Sequence, residues 1–90
     1  MPVKKGNSLI RLRGAYVELD AVKRSEDGES IVIRFHEYAG EKDTVSVDLG
    51  FSVRDYAESD LMERPIEAFH RGDMRFPVRP YEIKTILIRI

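Results

Sequence analysis

The sequence contains no cysteine, tryptophan or glutamine, and it has a single asparagine. Without cysteine the chain can form neither a disulfide framework nor a thiolate zinc site, and it has no cysteine nucleophile. Its apolar runs are only a few residues long, too short for a membrane-spanning helix. The 15 lysines and arginines nearly balance 16 acidic residues, so the basic excess typical of nucleic-acid-binding proteins is missing. We therefore expect neither a membrane nor a nucleic acid as partner.

The composition is that of an ordinary globular domain. With 90 residues, of which 42% are apolar and 34% charged, the chain can build one modest core. The segment Met1–Ser8 is too polar for a secretory signal peptide, so we expect a cytoplasmic location. We expect residues 1–8 to be a flexible or vector-derived segment and residues 9–90 to form a single β-sandwich domain.

Apolar and polar residues alternate along most of the chain, a pattern typical of half-buried β-strands. Turn signals recur roughly every ten residues, which favours a β-sandwich or a small barrel. We predict an all-β fold, a small antiparallel, immunoglobulin-like β-sandwich of about seven strands. The segments that carry this pattern are Leu9–Leu12, Val17–Ala21, Ile31–His36, Thr44–Leu49, Val53–Glu58, Met74–Val78 and Glu82–Ile90.

The turns indicate how these strands connect. Asp27-Gly28 and the Ala39–Asp43 segment predict two adjacent hairpins. After the strand that begins at Val53 we expect an irregular crossing segment ending at Pro65, although a helical turn over Tyr56–Glu63 is also compatible with the sequence. Because prolines lack amide donors, the run containing Pro77 is expected to be an edge strand or a strand end.

The last strand is apolar on both faces, which places it in the centre of a sheet or under a cover on both sides. The cover is either a loop of this chain, such as Asp60–Phe69, or a partner surface. Because a short domain has little spare chain, we expect an exposed apolar patch and weak homo-oligomerisation through a surface including Leu87 or Ile88.

The residues offer little catalytic chemistry. His36 and His70 are isolated, whereas a metal site needs several converging ligands, so both are interpreted as surface histidines. Glu58, Asp60 and Glu63 form a local acidic cluster. Such a cluster in one loop is expected to cap a turn or pair with a nearby arginine rather than act as a catalytic pair.

Glu37 continues the apolar face of its strand, so its carboxylate is expected to be half-buried and to need a hydrogen-bond donor. A turn amide is the expected donor, and the bond would fix the Tyr38–Gly40 turn.

Three motifs resemble the C-terminal β-sandwich of glycoside hydrolase family 38, the α-mannosidases. Ile33–Gly40 is similar to an Arg-aromatic-x-Glu-x-x-Gly hairpin of that family. Val53–Ile66 looks like the segment that follows it there, and Arg79–Ile88 is similar to the family's closing strand. The likeness covers roughly residues 17–90 in the same order.

The resemblance implies structural roles for a set of motif residues and no catalytic, cofactor-binding or metal-binding role for any residue. The family's retaining chemistry uses an aspartate nucleophile and a zinc ion in an N-terminal domain, so zinc is implied only for that absent domain. The structural motif residues are Arg34, Glu37, Gly40, Glu58, Asp60, Glu63, Pro80, Tyr81, Glu82, Lys84 and Thr85.

The resemblance predicts a non-catalytic C-terminal domain of an α-mannosidase, either excised or separately encoded, whose partner is the catalytic domain. Two alternatives remain: a free-standing carbohydrate-binding module and an immunoglobulin-like interaction module. The tyrosines at 16, 38, 56 and 81 are scattered along the sequence, which disfavours the aromatic platform of a sugar-binding module.

Overall fold

The structure is a computed structural model that describes residues 10–90, which form a seven-stranded β-sandwich. The segment 1–8, predicted to be flexible or vector-derived, lies outside the described residues. The strands are β1 Ile10–Arg13, β2 Val17–Arg24, β3 Ile31–Glu37, β4 Asp43–Leu49, β5 Asp55–Ser59, β6 Arg75–Val78 and β7 Ile83–Arg89.

The strands form two antiparallel sheets, which confirms the predicted β-sandwich. One sheet has three strands in the order β1-β4-β6, and the other has four in the order β2-β3-β7-β5. The strand with Pro77 lies at an edge, as predicted, and β7 lies in the interior of its sheet between β3 and β5. The alternative helical turn over Tyr56–Glu63 is not formed, because Asp55–Ser59 pairs with β7 as a strand.

Only the first of the two predicted hairpins exists. β2 and β3 pair across a turn in which Gly28 has a φ of 76°, whereas β3 and β4 do not pair at all. Both edges of β3 are already occupied, by β2 and by β7. The chain therefore crosses at Gly40 to the other sheet, where β4 pairs with β1 and β6. Turn residues alone do not reveal which sheet the next strand joins.

The alternating apolar residues of the two sheets face each other and form the core. Phe35 and Phe76 meet across it with ring centroids 6.5 Å apart, and Tyr56 packs edge-on against Phe76 at 5.7 Å. Burying these alternate positions is the main stabilising term of the fold. The buried core cluster comprises Ile33, Phe35, Val45, Val47, Tyr56, Phe76, Val78, Ile86 and Ile88.

Part of the outer face of the four-stranded sheet, around Leu87, is covered by the segment 60–66, here called the crossing turn. The Arg34 guanidinium donates to the Leu61 carbonyl at 3.4 Å, and the Glu63 carboxylate pairs with Lys23 of β2 at 2.6 Å. Beneath it Leu87 is only 5% exposed, and Ile88 on the opposite face is fully buried. The loop thus supplies the cover, and the expectation of an exposed patch at Leu87 or Ile88 is wrong.

Candidate functional site

Glu37, at the end of β3, organises one end of the sandwich. Its side chain is 1% exposed, and its carboxylate accepts hydrogen bonds from four backbone amides. Three of these amides belong to Ala39, Gly40 and Glu41, at 2.8–3.0 Å, and the fourth belongs to Tyr81 at 2.8 Å. The predicted turn amides are confirmed, and the Tyr81 amide joins the turn to a segment 44 positions away.

The four amides explain why this buried carboxyl is ionised. Burial by itself raises the pKa of Glu37, but donation from the surrounding amides outweighs burial and holds the pKa below its ordinary value. A carboxylate with four charge-assisted hydrogen bonds is a strong cross-link between two loops. Glu37 therefore fixes both the crossover from β3 to β4 and the turn that begins β7.

Gly40 and Tyr81 form the second contact between these loops. Gly40 has a φ of 80° and lies against the Tyr81 side chain, so a Cβ atom at position 40 would be 2.7 Å from the Tyr81 hydroxyl oxygen and 2.8–2.9 Å from two ring carbons. Tyr81 itself has a φ of 60° in the turn that follows Pro80. In that turn the Glu82 carboxylate accepts from the Arg79 amide at 2.9 Å. A side chain at position 40 is excluded both by backbone conformation and by the ring.

Gly40→Ala is expected to be more destabilising than Gly28→Ala, which is its matched control. Both glycines have a positive φ, but nothing lies within 4 Å of a Cβ atom at position 28. We expect Gly28→Ala to cost about 1–2 kcal/mol and Gly40→Ala to cost about 1–3 kcal/mol more, because the Tyr81 ring must move. Urea denaturation measures both changes. In a Tyr81→Ala background the extra cost should disappear, and equal costs in the wild-type background would contradict the contact.

A second group of motif residues holds the crossing turn against the four-stranded sheet. The Arg34 guanidinium donates to the Thr85 hydroxyl at 3.1 Å as well as to the Leu61 carbonyl. The Asp60 carboxylate accepts from the amides of Met62 and Arg64 at 2.9 and 3.0 Å. These contacts fix the geometry of the crossing turn and hold it to Arg34, which is distant in the sequence.

Of the acidic cluster, Asp60 caps the crossing turn and pairs with Arg64, as predicted, whereas Glu63 pairs with Lys23 instead. The Arg64 amide contributes most to the lowered pKa of Asp60, against the opposing effect of burial, and the Met62 amide adds to it. Glu63 adopts a φ of 65°, and its carboxylate reaches Lys23. The sequence indicated the Asp60 cap but gave no sign of the Lys23 partner.

The third motif group is a charged cluster around Lys84. This lysine is 7% exposed, and its ammonium lies 3.1 Å from Glu58 and 3.7 Å from Glu82. Glu58 also donates its backbone amide to the Glu67 carboxylate at 2.8 Å. The hydrogen bond from this amide contributes most to lowering the pKa of Glu67, whereas burial acts to raise it. The buried ammonium is thus compensated by two acidic side chains from neighbouring segments.

Each of the two histidines contacts a different carboxylate. Nδ1 of His36 is 2.8 Å from the Asp20 carboxylate, and Nε2 of His70 is 3.1 Å from Glu67. Within residues 10–90, no group of three or more histidine, aspartate or glutamate side chains converges to hold a metal ion. The same part of the chain has no helix long and apolar enough to cross a membrane.

A comparison with models of protein families gives a match that includes these motifs. The model of the glycosyl hydrolases family 38 C-terminal beta sandwich domain matches residues 16–86, which is most of the chain. The chain belongs to this family. No curated protein and no solved structure matches it. The matched region of this family 38 sandwich contains all three motif groups and confirms the resemblance deduced from the sequence.

The family 38 sandwich also contains a feature that sequence reasoning missed. Tyr16 and Tyr38 lie side by side, with ring centroids 6.0 Å apart, and His36 lies 6.3 Å from Tyr38. A register shift between Leu19 and Ala21 places Asp20 beside His36. The tyrosines are therefore not all scattered, although Tyr56 is a buried core residue. Neither the strand pairing nor the bulge could be deduced from the tyrosine spacing.

Proposed function

We propose that this chain is a non-catalytic C-terminal β-sandwich of a zinc-dependent retaining α-mannosidase, here called the parent enzyme. In this proposal the sandwich packs on the catalytic domain and supports it. The observation that carries the proposal is the family match over residues 16–86. Within residues 10–90 no three metal-ligating side chains converge, so the proposal assigns the zinc ion and the glycosidic chemistry to the catalytic domain.

The outer face of the three-stranded sheet is polar, which argues against docking through that face. In the three-stranded sheet the residues that face away from the core are Arg11, Arg13, Thr44, Ser46, Asp48, Arg75 and Pro77. Among the described residues, the exposed large apolar side chains all lie outside that sheet, at Tyr16, Tyr38, Leu61, Met62, Ile66, Tyr81, Ile83 and Ile90.

The crossing turn is the best-defined apolar feature on the surface. Leu61, Met62 and Ile66 are 61%, 73% and 60% exposed, whereas the backbone beneath them is fixed by Asp60, Arg34 and the Glu63–Lys23 pair. Rigid presentation of apolar side chains lowers the entropic cost of binding. We assign the crossing turn to the contact with the catalytic domain, which is the partner implied by family membership.

Met62→Asp in the parent enzyme tests this assignment, with Thr44→Asp on the polar sheet as the matched control. An interface anchor contributes more than about 1 kcal/mol, so Met62→Asp is expected to accelerate thermal inactivation about fivefold, measured as residual aryl α-mannoside hydrolysis. Thr44→Asp should change the rate by less than about twofold.

The isolated chain supplies the control for folding and for activity. Since both positions are exposed, both variants should change its melting temperature by only about 2–4 °C. The isolated chain should not hydrolyse an aryl α-mannoside, even with zinc or cobalt added. Equal inactivation rates for the two parent variants would overturn the docking assignment, and turnover that copurifies with the isolated chain would overturn the non-catalytic role.

A further inference from the structure

Tyr16, Tyr38, His36 and Asp20 form a compact cluster on the outer face of the four-stranded sheet, here called the tyrosine corner cluster. Tyr16 and Tyr38 are 44% and 52% exposed, and the side chains of His36 and Asp20 are each about one-third exposed. The Tyr16 carbonyl accepts from the Tyr38 amide at 3.0 Å, so the two residues are fixed to each other through the backbone. The cluster is therefore accessible and also positioned by the sheet.

The two tyrosine rings form a right-angled corner. Their planes are 78° apart, so the edge of one ring points toward the other, and both side chains remain about half exposed. An aromatic face carries a negative potential that attracts the slightly positive C–H groups of an apolar ligand face. A pyranose chair, whose axial C–H groups form an apolar face, can stack on one tyrosine with its rim against the other.

His36 and Asp20 add polar groups beside this corner. An ionised carboxylate only accepts hydrogen bonds, so Nδ1 of His36 donates to Asp20, and this bond fixes the orientation of the ring. Among the described residues Nε2 of His36 has no hydrogen-bond partner. Asp20 is the extra residue of the β2 bulge, and bulges commonly re-aim side chains at binding sites.

The charges of the cluster favour a neutral, hydroxyl-rich ligand. Glu18 is the cross-strand partner of His36 in the sheet, and the Asp20 carboxylate lies 2.8 Å from Nδ1 of His36, so acidic residues outnumber the single imidazole here. Anionic ligands are therefore disfavoured. Carboxylates accept hydrogen bonds from sugar hydroxyls, and an imidazole nitrogen can accept from them or donate to them. A few polar groups beside an apolar surface are typical of small-molecule sites.

We propose that the tyrosine corner cluster is a weak pyranoside-binding subsite of this sandwich. The choice of an α-mannoside as ligand rests on the proposed function, since a glycan handled by the parent enzyme would be the sugar nearest to it. An open site of this size is expected to bind with a dissociation constant on the order of 1–10 mM.

Titration of the 15N-labelled chain with methyl α-mannoside tests the proposal by two-dimensional NMR. Saturable shifts are expected at the amides of residues 16–20 and 36–38, with a millimolar dissociation constant that changes little with salt. Tyr38→Ala and Asp20→Asn should each weaken binding at least about fivefold, while Met62→Ala on the crossing turn should leave it unchanged. Preserved spectral dispersion shows that each variant remains folded.

Open-chain mannitol, which has similar hydroxyls but no ring, serves as the matched ligand control. The proposal is overturned by equal shifts with mannitol, by shifts confined to other residues, or by no saturation at about 50 mM methyl α-mannoside. It is also overturned if binding vanishes at high salt, because stacking and hydrogen bonding of a neutral sugar are only weakly screened. These results leave the Met62→Asp comparison in the parent enzyme untouched, so failure of the subsite and failure of the docking proposal are distinguishable.

Discussion

Phe35→Ala is expected to destabilise the domain more than any other substitution proposed for this chain. The Phe35 ring is fully buried and packs against Phe76 in the centre of the core. Removing a buried phenylalanine loses its transfer free energy and leaves a cavity, at a cost of about 3–5 kcal/mol. For a chain of this length the total stability is expected to be about 5–13 kcal/mol, so the melting temperature should fall by about 15 °C or more.

Phe51→Ala is the matched control for this prediction. Phe51 lies after β4, is half-buried and does not belong to the core cluster. The same chemical change there should cost less than half as much, because the surrounding structure can relax and water can fill the space. Differential scanning calorimetry compares the two variants directly. Equal losses of stability at positions 35 and 51 would contradict the placement of the core between the two sheets.

Glu37→Ala is expected to have the next largest effect. The substitution leaves four backbone amides without their acceptor. Two of these amides belong to Gly40 and Tyr81, which also contact each other directly. Buried donors without partners are costly, so the melting temperature should fall by at least about 5–10 °C. Glu26→Ala, at an exposed position in the hairpin turn, is the control and should change it by less than about 3 °C.

The charge of Glu37 also predicts how stability depends on pH. Its pKa is lowered by folding, so its contribution is fully present above the unfolded value of about 4.5 and is lost as the pH falls through the lower folded value. The pKa values of Asp27, Asp55, Asp60 and Glu67 are lowered in the same direction. Stability should therefore decline as the pH is lowered below about 4.5.

Glu37→Gln isolates the contribution of this carboxylate. The amide side chain keeps the shape and one acceptor oxygen but cannot ionise. The difference in melting temperature between wild type and Glu37→Gln should be largest near pH 7 and should shrink as the pH falls below 4.5. A difference that stays constant across this range would mean that the ionised form of Glu37 is not what the four amides stabilise.

The strands were predictable because their period-two pattern depends on local burial. Ile33 and Phe35, or Ile86 and Ile88, are apolar since they face the core, and this requirement is visible in the sequence. The turn amides around Glu37 were predictable for a similar reason, because a carboxylate on an apolar face needs nearby donors. The Tyr81 amide was not, since it comes from a segment 44 positions away.

Long-range pairing explains what the sequence did not reveal. The prediction of a second hairpin was wrong because β3 has β7 as its other neighbour. That pairing is decided by the whole sheet and not by the turn at Gly40. The cover over Leu87 depends on Arg34 and Glu63 reaching across strands, so the sequence left a loop and a partner surface as open alternatives. The Tyr16–Tyr38 pair depends on strand pairing that brings the end of β3 beside the start of β2.

Hydroxyl-radical footprinting of Met62 is the most direct test of the central claim that the sandwich docks on a catalytic domain through the crossing turn. Met62 is 73% exposed in this chain, so it should be readily oxidised when the chain is alone. In the intact parent enzyme its labelling should fall several-fold, while Pro77, on the outer face of the three-stranded sheet, should be labelled equally in both. Equal labelling of Met62 in the two proteins, or protection of Pro77 instead, would contradict the account.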